Sequence, residues 1–340
     1  MDRRCQDIPV IARLLILMSV LATLPAHALD TSRADVAGFI DEVAERHGFA
    51  RAEIERTLEG ARTQQAILDA ISRPAEKTKP WHDYRAIFLT SERIEAGADF
   101  WDEHREEIAR IGAETGVAPE ILVAIIGVET YYGRITGRYR VLDALATLAF
   151  DYPPRSPFFR KELEQFLLLV REEKVDVDKA VGSYAGAMGA PQFMPSSYRA
   201  YAVDASADGL RDLWTDWTDV LGSVANYFVV HGWRPGEPVF VPAETDTGWD
   251  GEPAGDKGLD TNDTVGGLAA SGIRFSTRLP AAAPARLLRM EGADGDELWV
   301  GFHNFHVITR YNRSAMYALA VWQLGREIVR TRAEDTDEPA

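Results

Sequence analysis

The sequence predicts an α+β fold that is mainly α-helical and carries a smaller β-rich part. Apolar residues recur at helical spacing, with breaks, over residues 33–231. The pattern changes over residues 233–302, where short β-type runs alternate with Gly- and Pro-rich turns. Helical spacing returns over residues 314–329, so we expect the last helix to pack back onto the helical part.

The N-terminus has the features of a secretory signal. Arg3 and Arg4 precede an apolar stretch at residues 10–24, and small residues lead to a predicted cleavage site after Ala28. The alternative is an uncleaved membrane anchor. It is less favoured because Arg13 interrupts the apolar stretch, which is also short for a membrane span.

The chain contains a single cysteine, Cys5, which lies before the apolar stretch rather than at its end. It is therefore not placed to become a lipid-modified N-terminus. Cleavage after Ala28 would leave a mature chain without cysteine, which excludes disulfides, thiol catalysis and Cys-based metal sites. We expect a periplasmic protein with no stable membrane span after cleavage.

Composition and charge restrict the classes of partner. Hydrophobic residues make up 46% of the chain and charged residues 26%, as in globular proteins. The formal net charge is −16, and because the first 28 residues contribute +1, the mature chain would carry −17. Such an acidic protein is not expected to bind nucleic acid through its overall field. An anionic partner would have to be held by short-range contacts.

Composition also divides the chain into successive segments. A Lys- and Pro-rich stretch at residues 74–80 is typical of a linker. We expect a signal peptide at 1–28, an N-terminal helical region with its linker at 29–80, a main helical core at 81–232, a small β-rich insertion at 233–302, and a C-terminal return to the core at 303–340 that ends in a disordered tail.

One carboxylate stands out in an otherwise apolar helix. Residues 121–128 are apolar on every side, which predicts a buried helix, and Glu129 follows in its last turn, before Gly133. Desolvation and the negative end of the helix dipole both raise the pKa of such a carboxyl toward neutrality, as a general acid requires. The alternative is a Glu at the core edge paired with Arg134 or Arg138.

A second informative segment is the Gly- and Ala-rich run at residues 183–198. Its small residues and prolines bring the backbone close to whatever lies opposite, while Ser183, Gln192 and the aromatic residues offer hydrogen bonds and a stacking surface. Binding of a sugar ring needs both hydrogen bonds and a stacking surface. Taken alone, such a run is more often a site of close helix packing or an ordinary turn. It is not a phosphate-binding loop, because the required Lys and Gly spacing is absent.

A third segment, residues 305–314, is predicted to be a strand-like run that delivers Tyr311 and Asn312 to the start of the last helix. His303 and His306 lie in the same neighbourhood and suggest a metal site. We reject a metal site there, because no carboxylate or third His has the spacing of a metal ligand.

Together these segments resemble the B-type (membrane-bound) lytic murein transglycosylase family, over about residues 35–329. The motifs that carry the resemblance are Gly127-Val-Glu-Thr130 with Tyr131-Tyr-Gly133 after it, the small-residue segment 185–197, the segment 222–233, and Ile308-Thr-Arg-Tyr-Asn-Arg-Ser314.

The resemblance implies a lysozyme-like α core with an N-terminal helical domain and a small β domain. It implies non-hydrolytic cleavage of the β-1,4 bond between N-acetylmuramic acid and N-acetylglucosamine in peptidoglycan, leaving a 1,6-anhydromuramoyl end, with no cofactor required for catalysis. The expected partners are peptidoglycan glycan strands, together with cell-wall synthesis or division proteins.

The resemblance also assigns roles to individual residues. Ser183 would hold the N-acetyl group of the substrate. Each tyrosine could also be an ordinary half-buried core residue with a hydrogen-bonded hydroxyl. The residues implied to line the cleft are Tyr84, Gln192, Tyr227, Tyr311, Asn312 and Tyr317.

The family is known for calcium in a lengthened loop, and a candidate loop is present here. Residues 204–212 place oxygen-bearing side chains and a Gly as an EF-hand does, but Thr215 occupies the twelfth position, where a bidentate Glu is expected. An Asp/Ser/Gly run is also typical of a solvated turn. The candidate ligands of a structural calcium ion are Asp204, Ser206, Asp208, Leu210 and, from beyond the usual loop length, Asp219.

A single carboxylate is chemically sufficient for this reaction. Ordinary glycoside hydrolysis uses two, and the matched motifs offer no convincing second one. If the C6 hydroxyl of the muramic residue attacks, Glu129 can serve first as acid and then as base. One alternative is a muramidase-type hydrolase with Asp143 or Asp151 as the second carboxylate. The other is a catalytically inactive peptidoglycan-binding protein.

Overall fold

The computed structural model describes residues 27–72 and 79–337. Helices dominate this part of the chain. In chain order the helices are α1 Ala34–His47, α2 Arg51–Glu59, α3 Gln65–Ile71, α4 Trp81–Phe88, α5 Ser91–Glu103, α6 Arg105–Thr115, α7 Pro119–Thr130, α8 Val141–Asp151, α9 Ser156–Glu173, α10 Pro195–Tyr201, α11 Trp217–Val230, α12 Val265–Ala270, α13 His303–Tyr311 and α14 Ala315–Asp337.

The strands form one larger sheet and two small two-stranded ladders, all antiparallel in their pairing. The larger sheet has five strands in the order β6-β8-β9-β5-β7, and its longest pairing is the β8–β9 hairpin. In chain order the strands are β1 His27–Ala28, β2 Arg62–Thr63, β3 Tyr139–Arg140, β4 Val181–Gly182, β5 Phe240–Thr245, β6 Asp263–Thr264, β7 Ile273–Arg274, β8 Pro284–Gly292 and β9 Gly295–Phe302.

Helix α7 lies at the centre of the main core. Its residues 121–127 are all buried, which agrees with an apolar sequence that has no polar face. Pro119 starts the helix, where its missing N–H costs no hydrogen bond. Helix α14 packs directly on α7, and Gly325 permits the close approach, because a Cβ at this position would lie 2.8 Å from the Glu120 carbonyl oxygen.

The larger sheet presents a different core on each face. Leu287 and Val300 pack with α12 in a small separate cluster. Leu288 and Met290 of the same β8 strand belong to the main core. Side chains alternate between the faces of a strand, so β8 can join the small sheet to the helices while burying both of its sides.

Ion pairs attach the N-terminal helices to the helical core. Arg33, just before α1, contacts Asp151 at 2.8 Å at the end of α8. At the other end of α1, Arg46 and His47 both contact the Glu164 carboxylate of α9, at 2.8 and 2.6 Å. Glu164 is largely buried, so these contacts are less screened by solvent than those of an exposed pair.

Two sequence-based expectations need correction. Residues 303–311 form helix α13 rather than a strand-like run, because Phe305 and Ile308 fall three positions apart and both are fully buried. Tertiary packing therefore overrides the β preference of Val307 and Ile308. The last helix also continues to Asp337, beyond its predicted end at residue 329.

Other expectations fall on residues outside the described part. These are residues 1–26 of the predicted signal peptide, residues 73–78 of the predicted linker and residues 338–340 of the predicted tail. Within the described ranges no single helix is long and apolar enough to cross a membrane. The α6–α7 pair passes the length and composition test jointly, with a bend of 118° between its two helices.

Candidate active site

Glu129 lies in the last turn of α7, half-buried at the edge of the core. The helix ends because the next two residues, Tyr131 and Tyr132, adopt left-handed backbone conformations with φ of 52° and 57°. This happens before Gly133, which the sequence predicted as the closing residue. The turn is held by the two tyrosine hydroxyls, which donate to carbonyl oxygens of α5.

The hydroxyl of Tyr317 donates a hydrogen bond of 2.5 Å to the Glu129 carboxylate. Tyr317 lies in the first turn of α14 and is buried. Burial first, and then the nearby charge of Glu129, raise the pKa of Tyr317 well above its usual range. The hydroxyl therefore stays protonated at ordinary pH and can remain the donor. A hydrogen bond to the charged form of Glu129 stabilises the carboxylate.

The two arginines considered as alternative partners of Glu129 both lie over aromatic rings. The Arg134 guanidinium is 4.9 Å from the centre of the Tyr131 ring, and that of Arg138 is 5.8 Å from the Tyr139 ring. Both are favourable cation–π arrangements.

An aromatic cluster borders the site. The rings of Tyr227 and Tyr311 are 4.8 Å apart, and their hydroxyls donate to the carbonyl oxygens of Arg310 and Pro191, both at 2.6 Å. Burial raises the pKa of both phenols. The hydroxyls bond to the protein's own backbone, so these residues offer ring surface rather than hydroxyl groups to a ligand, as the core alternative for each tyrosine anticipated.

The loop at residues 183–193 follows strand β4. The Ser183 hydroxyl oxygen accepts from the backbone N–H groups of Ala185 and Ala187, at 3.3 and 3.1 Å. Gln192 has a left-handed backbone, and its side-chain amide donates to the carbonyl oxygens of Thr136 and Gly189. Ser183 and Gln192 thus both stabilise the loop from within.

Five of the side chains that were implied to bind substrate line two cavities, whereas Tyr227 and Tyr317 line neither. The larger, of about 1370 Å³, is lined in part by Tyr84, Tyr311 and Asn312. The smaller, of about 530 Å³, is lined by Ser183, Gln192 and neighbouring residues. The Tyr311 hydroxyl bonds to the carbonyl oxygen of Pro191, the neighbour of Gln192 in the smaller cavity. Burial and then the nearby charge of Glu129 raise the pKa of Tyr311, so Glu129 lies close to a residue that lines the larger cavity.

Two buried polar residues position this site, although the sequence analysis gave them no role. The Thr130 hydroxyl donates to the Ala190 carbonyl oxygen at 2.8 Å and so ties the end of α7 to the loop. The Glu162 carboxylate accepts from the N–H and the hydroxyl of Ser196, at 2.9 and 2.7 Å. Glu162 could have been noticed because it falls three residues after the apolar Phe159, on the buried face of α9.

The two carboxylates considered for a hydrolase have structural contacts elsewhere. Asp143 is buried and accepts from the Arg62 N–H at 2.9 Å and from the Gln64 side chain at 3.1 Å. Asp151 contacts Arg33. Both therefore attach the N-terminal segment to α8, and neither lines the two cavities described above.

The predicted calcium loop forms a turn that its own carboxylates stabilise. Asp204 accepts from the N–H groups of Asp208 and Gly209, at 3.1 and 2.8 Å, and Gly209 has a φ of 93°. Asp219 is buried and accepts from the N–H groups of residues 205, 206 and 212. Among the residues described here, no three His, Cys, Asp or Glu side chains converge so as to hold a metal ion. The two histidines that suggested a metal site, His303 and His306, contact the backbone carbonyl oxygens of Gly232 and Leu259.

The chain matches proteins of known type over nearly its whole length. The profile described as "Transglycosylase SLT domain" matches residues 31–326. The membrane-bound lytic murein transglycosylase B of Escherichia coli (strain K12) is 43% identical over 305 residues, which cover 87% of this chain and 83% of the relative.

Solved structures give the same result. The catenated lytic transglycosylase SltB1 from Pseudomonas aeruginosa superposes with a TM-score of 0.82 at 51% identity, covering 88% of this chain and 98% of that one. The Escherichia coli lytic transglycosylase Slt35 in complex with calcium gives a TM-score of 0.80 at 40% identity, covering 91% and 97%. SltB3 from Pseudomonas aeruginosa in complex with NAG-anhNAM-pentapeptide gives 0.76 at 30% identity, covering 86% and 78%.

These matches agree with a mainly helical, lysozyme-like fold that carries a small sheet. The sequence identity and the coverage are high enough to establish family membership. The chain belongs to the lytic murein transglycosylase family, whose members are lyases that act on peptidoglycan.

Proposed function

We propose that this chain cleaves the β-1,4 bond between N-acetylmuramic acid and N-acetylglucosamine of peptidoglycan without water, leaving a 1,6-anhydromuramoyl end. The observation that carries the proposal is the half-buried Glu129 carboxyl, fixed at the end of α7 by the Tyr317 hydroxyl at 2.5 Å. It lies close to Tyr311, which lines a cavity large enough for sugar rings.

The reaction needs one proton carrier. Glu129 donates its proton to the glycosidic oxygen, and the bond between this oxygen and the muramic C1 breaks with its electron pair going to the oxygen. The muramic C6 hydroxyl oxygen then bonds to C1 while the Glu129 carboxylate takes the hydroxyl proton. Glu129 is regenerated and no water is consumed. Between the two steps, the hydrogen bond from Tyr317 stabilises the carboxylate.

Ser183 is suited to orient the N-acetyl group of the muramic residue. A hydroxyl has two acceptor lone pairs and one donor O–H. In Ser183 the oxygen accepts from two backbone N–H groups, which leaves the O–H as the group that can donate to a ligand carbonyl. Ser183 lines the smaller cavity, where such a ligand would lie.

The remaining cleft residues are proposed to contact the glycan by surface and shape. Tyr84, Tyr311 and Asn312 line the larger cavity, and Gln192 lines the smaller one. The Tyr227 ring packs against the Tyr311 ring. Sugar rings pack well on aromatic faces, which suits tyrosines whose hydroxyls are already bonded to the backbone.

Product analysis tests the proposal against the two alternatives. Purified sacculi are digested, and the soluble muropeptides are analysed by mass spectrometry. Anhydromuramoyl ends support the transglycosylase, whereas reducing muramic ends, heavier by one water, would identify a hydrolase. Binding to sacculi without any soluble product, in the parent and in the Glu129→Gln protein alike, would identify an inactive binding protein.

A structural calcium ion at residues 204–219 is proposed as an addition to this function. Its support is the EF-hand-like order of oxygen ligands in the sequence and the calcium complex of the relative Slt35. The Asp219 carboxylate has about four acceptor sites and three backbone N–H partners, so one site is left for the ion. The chemistry of the family needs no catalytic cofactor, so calcium would act on stability.

The proposed location is the periplasm, where peptidoglycan is accessible. Cleavage after Ala28 would remove the short strand β1, which in the full chain pairs with Arg62 and Thr63. N-terminal sequencing of the protein recovered from a periplasmic fraction tests the cleavage site. The relative from Escherichia coli is named membrane-bound, and a mature chain that fractionates with membranes would contradict this location. Cell-wall synthesis or division proteins remain proposed partners.

A further inference from the structure

One carboxylate of the small sheet receives hydrogen bonds from two tryptophans. The indole N–H groups of Trp81 and Trp299 both donate to the same Glu297 oxygen, Oε2, each at 3.2 Å. Trp81 belongs to α4 and is fully buried, whereas Glu297 and Trp299 lie on β9. A buried indole N–H that loses its acceptor carries a desolvation cost, so this contact fixes the position of α4.

The position of α4 matters because this helix forms one wall of the larger cavity. Trp81 and Tyr84 of α4 line it on one side, and Met290 and Asp296 of the β8–β9 hairpin line it on another. Tyr84 follows Trp81 by almost one helical turn, so a helix that shifts at Trp81 also shifts at Tyr84. Residues 73–78, which connect α3 to α4, lie outside the described part.

The contact also reaches the helix that carries the partner of Glu129. The Trp299 ring packs edge-on against Trp322 of α14, with ring centres 5.6 Å apart. Tyr317 lies on the same helix. A second contact, from the His82 ring to the Glu291 carbonyl oxygen at 3.3 Å, attaches α4 to the end of β8. The small sheet thus holds α4 at two points and contacts α14 at a third.

We propose that Glu297 is a positioning residue for substrate binding: it holds α4, and with α4 Tyr84, against the small sheet and so sets the width of the larger cavity that receives the glycan. This inference rests on the proposed function. It also gives the β-rich part of the chain a role in the reaction, although none of its residues is proposed to touch the reacting bond.

The test compares Glu297→Ala with Glu297→Gln and with Glu244→Ala, using soluble uncross-linked glycan strands as substrate. Glu297→Ala should raise KM by a factor on the order of ten and change kcat less than about twofold, because the Glu129–Tyr317 pair is untouched. Glu297→Gln keeps a carbonyl oxygen that can accept from both indoles, so it should restore most of the affinity. Glu244→Ala removes an exposed carboxylate from the neighbouring strand β5, outside the cavity, and should behave like the parent.

Trp81→Phe keeps the ring packing but removes one donor, and provides a second route if Glu297→Ala fails to fold. It should raise KM in the same direction, and combined with Glu297→Ala it should add nothing further, because both changes remove the same hydrogen bond. The inference is overturned if KM is unchanged in Glu297→Ala, or if the Gln and Ala variants are equally impaired. Failure of the proposed function would look different, as turnover retained in Glu129→Gln.

Discussion

At the scale of single residues, the site depends on the Glu129 carboxyl and on the tyrosine that bonds to it. Glu129 receives its hydrogen bond from a phenol that burial keeps protonated. The carboxyl can therefore alternate between donor and acceptor while the position of Tyr317 stays fixed. A proton carrier that acts twice in one turnover needs this constancy, since the same atoms must meet first the glycosidic oxygen and then the C6 hydroxyl.

Glu129→Gln should abolish turnover and leave the fold and saccharide binding largely intact. Gln keeps the volume of the side chain but cannot donate the proton, so we expect a loss on the order of a hundredfold or more. The measurement is release of soluble muropeptides from sacculi, with a binding assay on the same preparation. Glu114→Gln, an exposed carboxyl paired with Arg110, is the control and should match the parent. Turnover near the parental rate in Glu129→Gln would refute the assignment.

Ser183→Ala should lower both stability and turnover. The hydroxyl oxygen accepts two backbone N–H groups, so its loss should cost about 1 kcal/mol of folding free energy. If its O–H also orients the N-acetyl group in the transition state, kcat should fall well below the parental value with only a modest change in KM. Tm and kinetics measured on one preparation separate the two effects. The control is Ser271→Ala, which removes a hydroxyl-to-backbone bond remote from the cleft. Unchanged turnover per folded molecule would leave Ser183 a purely structural role.

At the scale of secondary-structure elements, the sequence was informative where one signal dominated. The apolar run at residues 121–128 predicted the buried helix α7 because Pro119 before it suits the first helical turn and Gly133 after it suits a helix end. Helix α13 was missed because Val307 and Ile308 favour a strand, and only the packing of Phe305 and Ile308 in the assembled core decides for a helix. The intrinsic secondary-structure preference of single residues carries no information about this packing.

Contacts between elements that are far apart in the sequence could not be predicted from local patterns either. The bond from Tyr311 to Pro191 joins residues 120 positions apart, and the bond from Trp81 to Glu297 joins residues 216 positions apart. Glu129 could be singled out as the candidate acid because the signal lies within one helix. Family resemblance placed Tyr317 in the cleft but did not predict its hydrogen bond to Glu129. The fixing of α4 by the small sheet could not be predicted, since nothing in the sequence around Trp81 indicates which strand it meets.

The loop at residues 204–219 is the element proposed to bind a structural calcium ion. If it binds calcium, removal of the ion with a chelator should lower Tm more than it lowers the initial rate, because a ligand that binds only the native state adds stability by mass action. Thermal unfolding is measured with calcium, with chelator, and with chelator followed by excess calcium. Asp204→Ala should remove the calcium response. A Tm that is the same in all three conditions would show that the loop is an ordinary turn.

At the scale of the whole molecule, the N-terminal helices are attached to the core through a few charged groups with partly buried partners. Although burial acts to raise it, the hydrogen bonds from His47 and Arg46 hold the pKa of Glu164 below its usual range. A carboxyl whose pKa is depressed by folding contributes stability above its unfolded pKa, and this contribution disappears as the pH falls through the folded value.

The stability conferred by Glu164 should therefore depend on pH. Glu164→Gln should lower Tm by about 2–4 °C near neutral pH, and the difference from the parent should shrink as the pH falls below the ordinary pKa of a Glu. Differential scanning calorimetry between pH 7 and about pH 4 measures this. Glu42→Gln removes the exposed partner of Arg46 and should have little effect at any pH. A gap between Glu164→Gln and the parent that persists unchanged at the acid end would contradict the linkage.

The left-handed turn after α7 has a consequence for anyone who wishes to engineer this enzyme. Two successive tyrosines occupy a conformation that costs roughly 1 kcal/mol or more for each residue with a side chain. Glycine at position 131 or 132 would relieve this backbone strain. It would also remove an aromatic ring that packs in or on the core, and the loss of a buried aromatic side chain such as that of Tyr132 costs about 3–5 kcal/mol. The hydroxyl contact to α5 that keeps the end of α7 in place would be lost as well. Relaxing this turn would therefore lower the melting temperature and leave Glu129 less firmly positioned.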